Sequence, residues 1–69
     1  MRINVECNGK FERYQKGKQP WDVPEGATPK EVSEILGIDP DDVREISVNH
    51  QSARMNTLLN DGDEVRLSS

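Results

Sequence analysis

The chain has 69 residues, of which 32% are hydrophobic and 32% are charged, and its formal net charge at pH 7 is −4. This length predicts a single small domain spanning residues 1–69. The acidic balance disfavours nucleic acid as a partner, because phosphate binding needs a basic face. No apolar run is long enough to cross a membrane, and one cysteine excludes an internal disulfide. We therefore expect a cytoplasmic protein that does not associate with membranes.

The first part of the chain predicts a strand followed by a tight hairpin. Apolar and polar residues alternate over positions 2–7, which is typical of a half-buried strand whose inward-facing residues are Ile3, Val5 and Cys7. Asn8-Gly9 then predicts a two-residue type I′ turn, because both central residues of that turn need a positive φ. The return strand is less regular. Residues 16–20 have the composition of a loop, and Trp21 and Val23 share one face of a short extended segment.

A helix is predicted from Thr28 to Gly37. Thr28 can cap it, Pro29 suits its first position, and Glu31 can complete a capping box back to the Thr28 amide. An apolar stripe is predicted at Val32, Ile35 and Leu36, with Lys30, Glu31, Ser33 and Glu34 facing water. Gly37 predicts a left-handed C-terminal cap, and Ile38 follows it in position for the accompanying hydrophobic contact.

The rest of the chain predicts short elements that end in a final strand. A helical turn capped by Asp39 precedes a third strand that contains Ile46 and Val48 and ends at the turn Asn49-His50. The remaining expectations are a brief fourth strand near Ala53 and Met55, core positions at Leu58 and Leu59, a turn over residues 60–63, and a last strand containing Val65 and Leu67. This order predicts an α+β fold of the ubiquitin-like β-grasp type, with a mixed sheet of four to five strands packed on one main helix.

Four stretches of the sequence, taken in this order, resemble the ThiS/MoaD family of small sulfur carriers. They are Asn8-Gly9, residues 23–28 (Val-Pro-Glu-Gly-Ala-Thr), residues 32–38 (Val-Ser-Glu-Ile-Leu-Gly-Ile), and Val48-Asn49 followed by residues 61–65 (Asp-Gly-Asp-Glu-Val). The resemblance spans nearly the whole chain. It implies a carrier rather than an enzyme, without a cofactor of its own and monomeric when free.

The resemblance also implies a chemistry and two partners. In the family, a C-terminal tail ending in Gly-Gly enters an E1-like adenylating enzyme, and its carboxylate is activated with ATP and converted to a thiocarboxylate. The sulfur then passes to a synthase subunit in thiamine or molybdopterin synthesis. Glycines suit this role because a backbone without Cβ atoms can approach the nucleotide closely.

The sequence departs from the family pattern in three places. Ser68 and Ser69 follow Leu67 where the family continues to Gly-Gly; Ser52 and Ser68 are polar where relatives often carry apolar docking residues; and the segment 10–20 is long and basic. These departures favour an alternative, a β-grasp interaction module without conjugation chemistry. A regulatory domain belonging to a larger protein is a third possibility.

Candidate partner-docking residues are of two kinds. Lys10, Arg13, Lys16 and Lys18 form the one basic cluster, which is either a solvated loop or a docking patch for an acidic partner. The second kind surrounds the final strand and its neighbour: Ser52, Leu67, Ser68 and Ser69.

The sequence predicts no catalytic, cofactor-binding or metal-binding residue. Strand parity makes Cys7 a buried thiol rather than a nucleophile, and His50 has no second ligand at metal spacing. The acidic run 39–45 lacks the glycine and final glutamate of an EF-hand, so its carboxylates are assigned to helix starts. Trp21 is expected to pack at the core edge, with an exposed partner anchor as the alternative.

Overall fold

The computed structural model describes all 69 residues and contains five strands, one α-helix and two 3₁₀ helices. In chain order they are β1 (Arg2–Asn8), a first 3₁₀ helix (Gly9–Arg13), β2 (Lys18–Asp22), α1 (Pro29–Leu36), a second 3₁₀ helix (Pro40–Asp42), β3 (Glu45–Val48), β4 (Gln51–Ser52) and β5 (Glu64–Ser68). One sheet has the order β2-β1-β5-β3-β4, in which only the β1–β5 pair is parallel. The predicted α+β, β-grasp architecture with its mixed sheet and single main helix is confirmed.

The core lies between the inner face of the sheet and α1. The alternation of β1 and β5 sends Ile3, Val5, Cys7, Val65 and Leu67 inward, and each of them is at most 2% exposed. The other buried apolar residues come from the helix and the connections: Phe11, Val23, Ala27, Val32, Ile38 and Leu59. The prediction that Cys7 is a buried thiol is therefore confirmed.

Both ends of α1 form as the sequence predicts. The Thr28 side chain accepts a hydrogen bond from the Glu31 amide at 3.5 Å, although Glu31 makes no return bond to Thr28, so the capping box is half formed. Gly37 adopts the left-handed conformation with φ of 84°, and its amide donates a hydrogen bond back to a carbonyl of the helix. The Ile38 amide donates to the Ser33 carbonyl at 2.8 Å, and Ile38 is buried, which completes a Schellman motif.

The predicted apolar stripe of α1 is wrong at two positions. Ile35 is 48% exposed, whereas Ser33, which was expected to face water, is fully buried. Burial of Ser33 is tolerated because its hydroxyl donates to the Lys30 carbonyl at 2.7 Å, leaving no unpaired polar group. Val32 is buried and Leu36 packs against the core as expected.

The predicted two-residue turn at Asn8-Gly9 is wrong, although β1 and the return strand β2 do pair antiparallel. Asn8 is extended, with φ of −118°, and only Gly9 has a positive φ. The chain enters the first 3₁₀ helix instead, which buries Phe11 in the core. The connection therefore runs to Gly17, and the predicted loop over residues 16–20 is partly replaced by β2.

A type I′-like turn does occur, but between β3 and β4. Asn49 and His50 have φ values of 53° and 67°, and the residues flanking them, Val48 and Gln51, are paired in the sheet. The short fourth strand thus begins directly after the turn and precedes the predicted position at Ala53. Of the two predicted core leucines that follow, Leu59 is buried and Leu58 is 68% exposed.

A proline occupies the free edge of the sheet in β2. Met1 and Val23 exchange both backbone hydrogen bonds, at 2.9 Å each. Because hydrogen-bonded and non-hydrogen-bonded pairs alternate along an antiparallel ladder, Pro20 lies opposite Asn4 in a non-hydrogen-bonded pair. The nitrogen of Pro20 therefore points away from β1, where its missing N–H costs no ladder bond.

Candidate functional site

The start of β5 is held by a polar clamp formed by Asn49, Asn60, Asp63 and Glu64. Asn49 Nδ2 donates to Asp63 Oδ1 at 2.9 Å, and Asn49 Oδ1 accepts from the Glu64 amide at 2.9 Å. The second carboxylate oxygen of Asp63 accepts from the Asn60 amide at 2.8 Å, and Asp63 is only 8% exposed. The clamp thus joins the β3–β4 turn to β5.

The turn that precedes β5 is bound to β1 in the same way. The Arg2 amide donates to Asp61 Oδ1 and the Gly62 amide donates to the Arg2 carbonyl, both at 2.7 Å. Gly62 has a φ of 86°, which suits glycine. The stretches Val48-Asn49 and 61–65, which carry part of the family resemblance, therefore serve to connect β1, β3 and β5, and their polar groups are directed at one another.

The outer face of the sheet is almost entirely polar. Alternation along the strands places on it Arg2, Asn4, Glu6, Asn8, Lys18, Pro20, Asp22, Glu45, Ser47, Ser52, Glu64, Arg66 and Ser68. Every lysine or arginine of this face has an acidic partner. Arg66 pairs with Glu6 at 3.0 Å, Arg2 with Asp22 at 3.2 Å, and Lys18 with Glu64 at 3.3 Å. The cations of this face are therefore already neutralised by neighbouring carboxylates.

Three groups have a displaced pKa. The hydrogen bond from Arg2, followed by its charge, lowers the pKa of the Asp22 carboxyl, and Asp22 raises the pKa of Arg2 in return. Burial, and secondly the charge of Glu6, raises the pKa of the Cys7 thiol. A thiol held protonated in the core is a poor nucleophile, which agrees with a structural role.

At the opposite end of β5, the chain emerges beside a shallow groove. This β5-exit groove is lined by Lys10, Phe11, Arg13, Tyr14, Asp41, Asp42, Arg44 and Ser69. Two backbone amides hold the strand end there. Arg44 donates to the Ser68 carbonyl at 2.9 Å, and Lys10 donates to Ser69 Oγ at 3.0 Å. Gly9 touches the Ser69 side chain so closely that a Cβ atom there would displace it.

The structure divides the predicted basic cluster. Lys10 and Arg13 lie in the β5-exit groove, Lys16 is exposed in the loop that follows, and Lys18 is on the outer face, paired with Glu64. Sequence reasoning missed Arg44 and Tyr14 as groove residues. Arg44 follows the second 3₁₀ helix, and no spacing rule relates it to the first.

The remaining predicted docking residues separate according to strand parity. Ser52 and Ser68 lie on the outer face, and Ser69 lies in the β5-exit groove. Leu67 is fully buried, so its side chain belongs to the core and offers no surface to a partner. This follows from the alternation of β5, in which Leu67 points inward between outward-facing neighbours.

Trp21 packs at the edge of the core, as expected, rather than standing free as a partner anchor. Its Nε1 donates to Gln15 Oε1 at 2.7 Å, and Gln15 Nε2 donates to the Val5 carbonyl at 2.5 Å. Gln15 thereby ties the long connection to both strands of the β1–β2 pair.

The other polar residues singled out in the sequence have local roles. Asp39 caps the second 3₁₀ helix by accepting a hydrogen bond from the Asp41 amide at 2.9 Å. His50 is exposed in its turn, 3.7 Å from Glu64. No group of three or more histidine, cysteine or acidic side chains is arranged to hold a metal ion. None of the helices has the length and apolar character needed to cross a bilayer.

The fold is similar to several solved structures. A protein described as molybdopterin converting factor subunit 1 from Pyrococcus furiosus has a TM-score of 0.78 and 23% identity, over 99% of this chain and 95% of that one. SAMP1 from Haloferax volcanii has a TM-score of 0.75 and 17% identity, over 97% and 92% of the two chains. The complex of subunits 1 and 2 of molybdopterin-converting factor from Helicobacter pylori has a TM-score of 0.67 and 23% identity, over 99% of this chain and 92% of that one.

Sequence comparison adds no closer relative. No protein-family model matches the chain, and no curated protein matches it. The identities to the solved structures are low, so the likeness concerns the fold. The resemblance is thus confirmed at the level of the fold: the chain has the β-grasp fold of molybdopterin converting factor subunit 1 and SAMP1.

Proposed function

We propose that the chain is a ThiS/MoaD-like sulfur carrier that serves thiamine or molybdopterin synthesis. The observation that carries this proposal is the position of β5 in a fold similar to molybdopterin converting factor subunit 1. β5 is the central strand, its start is clamped, and its end emerges at the surface beside the β5-exit groove. That arrangement would present the residues that follow β5 to a partner, while hydrogen bonds hold the start of the strand in the sheet.

In this role the chain acts as the substrate of its partners rather than as an enzyme. An E1-like enzyme adenylates the terminal carboxylate with ATP and releases pyrophosphate, and a sulfur nucleophile at the sulfide level then displaces AMP to leave a thiocarboxylate. A synthase subunit accepts the sulfur, a partnership supported by the complex of subunits 1 and 2 from Helicobacter pylori. The protein would work as a free monomer in the cytoplasm, without a cofactor of its own.

The reaction requires a narrow chain end, which makes the residues after β5 the point to test. Serine carries a Cβ atom and a hydroxyl, whereas glycine lets the backbone enter a confined active site. The experiment compares a chain ending at Ser69 with one extended past Ser69 by a flexible segment ending in Gly-Gly. Each is incubated with ATP and the E1-like enzyme encoded in the same genome.

Mass spectrometry of the intact chain provides the result. We expect the Gly-Gly form to gain an adenylyl group and, with a sulfur donor, to become a thiocarboxylate, while the form ending at Ser69 stays unmodified. If the Gly-Gly form also gains neither group, the carrier proposal is wrong.

One observation favours a second function, that of a β-grasp interaction module without conjugation chemistry. The outer face of the sheet has no apolar residue other than Pro20, and its cations are already paired. Such a module would bind a partner without any covalent change at its C-terminus. Recovery of a stable complex in which the chain keeps its unmodified mass, together with no adenylation of the Gly-Gly form, would support this function.

A further inference from the structure

The lysines and arginines of the two surfaces around β5 differ in whether they are paired. On the outer face, Arg2, Lys18 and Arg66 each have an acidic partner within 3.3 Å. In the β5-exit groove, Lys10, Arg13 and Arg44 have no carboxylate within ion-pair distance. Cations that are left unpaired remain available to a partner, whereas paired cations would first have to give up their existing contact.

The unpaired cations of the groove are attached to ordered backbone. Arg13 Nε donates to the Lys10 carbonyl at 3.3 Å, which holds its guanidinium over the first 3₁₀ helix. Arg44 is fixed through its amide to the Ser68 carbonyl. Tyr14, 45% exposed, stands edge-on to the buried Phe11 at a centroid distance of 6.3 Å. The groove thus combines arginines with a supported aromatic ring, residue types that are enriched in protein interfaces.

The groove also contains two carboxylates, and they bear on the kind of partner. Asp41 and Asp42 form no ion pair with the neighbouring cations. A nucleic acid would bring a continuous row of phosphates against them, on a chain whose net charge is −4. A protein segment can instead place acidic side chains opposite the cations without bringing negative charge against Asp41 and Asp42.

We propose that the β5-exit groove is a docking surface for an acidic segment of a protein partner, held by Arg13 and Arg44 and packed on Tyr14. The proposal rests on the proposed function only in identifying that partner as the adenylating enzyme. Docking at this groove places the partner next to Ser69, where β5 leaves the sheet. Charge attraction there accelerates and orients the encounter.

The first experiment uses the chain alone. Isotope-labelled protein is titrated with an oligoglutamate peptide at low salt while its backbone amide resonances are followed by NMR. We expect shifts confined to residues 10–14, Arg44 and Ser69, and about tenfold weaker binding for the Arg13→Gln/Arg44→Gln double variant, equivalent to about 1.4 kcal/mol. The matched control is Lys30→Gln/Arg54→Gln, which removes two exposed, unpaired charges outside the groove and should bind the peptide like the unmodified chain.

Two results would overturn the proposal. One is an equal loss of affinity in both double variants, which would mean that only net charge matters. The other is occupation of the groove by an oligothymidylate probe in preference to the peptide, which would point to nucleic acid.

The second experiment separates this proposal from the carrier function. With the Gly-Gly form as substrate of the E1-like enzyme, Arg13→Gln/Arg44→Gln should raise KM about tenfold and leave kcat unchanged, because the lost contacts act on encounter and binding. An unchanged KM, with normal adenylation of the parent, contradicts docking at the groove. Absence of adenylation in the parent, with the peptide result intact, contradicts the carrier function and leaves the docking surface in place.

Discussion

The two ends of β5 differ in how their polar groups are used. At the start, the side chains of Asn49 and Asp63 bond to each other and to the backbone around them. At the end, Ser68 and Ser69 are held by two backbone amides, and the nearby charged side chains form no ion pair. The difference teaches that the stretch resembling known carriers is used to build the sheet. The proposed docking surface lies at the opposite end of the same strand.

The largest expected effect comes from breaking the start of β5. Asp63→Ala removes acceptors for Asn49 Nδ2 and the Asn60 amide at a site that is 8% exposed. Because hydrogen bonds to charged groups contribute about 1.5–3 kcal/mol each, we expect the free energy of unfolding to fall by about 3 kcal/mol. Chemical denaturation measures this change.

The control for Asp63 lies at the other end of β5. The Asp41 side chain faces the β5-exit groove and makes no ion pair, so Asp41→Ala should change stability by less than about 0.5 kcal/mol. Equal losses of stability from Asp63→Ala and Asp41→Ala would contradict the difference between the two ends of β5.

A smaller effect is expected from the glycine that touches the end of β5. Gly9 and Gly17 have φ values of 66° and 67°, so alanine at either position should cost about 1–2 kcal/mol in backbone strain. Only at Gly9 would the new methyl group also meet the Ser69 side chain and disturb its bond from the Lys10 amide. We therefore expect Gly9→Ala to be more destabilising than Gly17→Ala by about 0.5–1 kcal/mol. Identical thermal unfolding of the two variants would show that Ser69 is not held.

On the outer face, the ion pairs should contribute less still. Arg66 and Glu6 are 46% and 29% exposed, and a double-mutant cycle with Arg66→Gln and Glu6→Gln should give a coupling energy below about 1 kcal/mol. The coupling should decrease in high salt, because exposed charges are screened. A coupling that is large and independent of salt would mean that this face is more rigid than its exposure indicates.

The smallest effect is expected from the Arg2–Asp22 pair, near the start of β5. Arg2 lowers the pKa of the Asp22 carboxyl below its ordinary value of 3.8. The native state therefore binds the proton less readily than the unfolded chain, and the stabilisation is present above pH 3.8 and lost as pH falls through the lowered pKa. The stability advantage of the parent chain over Asp22→Asn should shrink only below pH 3.8. Acid titrations of both proteins, followed by circular dichroism, test the sign, and an advantage that grows on acidification would contradict it.

The sequence predicts those parts of the fold that are decided by short-range chemistry. Thr28, Pro29 and Gly37 delimit α1 because a cap involves atoms only a few residues apart. The alternation in β1 and β5 likewise identified their buried residues, Leu67 included. Applying that parity to the docking residues would have excluded Leu67 from them.

The failures arise where tertiary contacts override a local preference. Asn8-Gly9 has the sequence of a tight turn, but the chain enters a 3₁₀ helix there and buries Phe11, whereas the turn predicted at Asn49-His50 does form. Ser33 lies on the buried side of α1 in place of Ile35, and its burial is tolerated because its hydroxyl donates to a carbonyl within the helix. Neither outcome follows from hydrophobicity alone.

The candidate site was only partly predictable for a similar reason. Lys10 and Arg13 are close in sequence and remain together, while Lys18 belongs to a strand and pairs with Glu64. Arg44 joins them only because its amide bonds to the Ser68 carbonyl. A contact such as the one between Arg44 and Ser68, which are more than twenty residues apart, leaves no periodic signal in the sequence.

The two edges of the sheet limit how this protein can associate. Pro20 removes a donor from the free side of β2, and β4 at the other edge has only two residues, Gln51 and Ser52. Neither edge therefore offers a continuous row of free backbone groups to a strand from another chain. Recognition by strand addition is disfavoured, and so is growth of a cross-β fibril from the native domain. Contacts with another protein would then be made by side chains, which can be released without breaking a ladder of backbone hydrogen bonds.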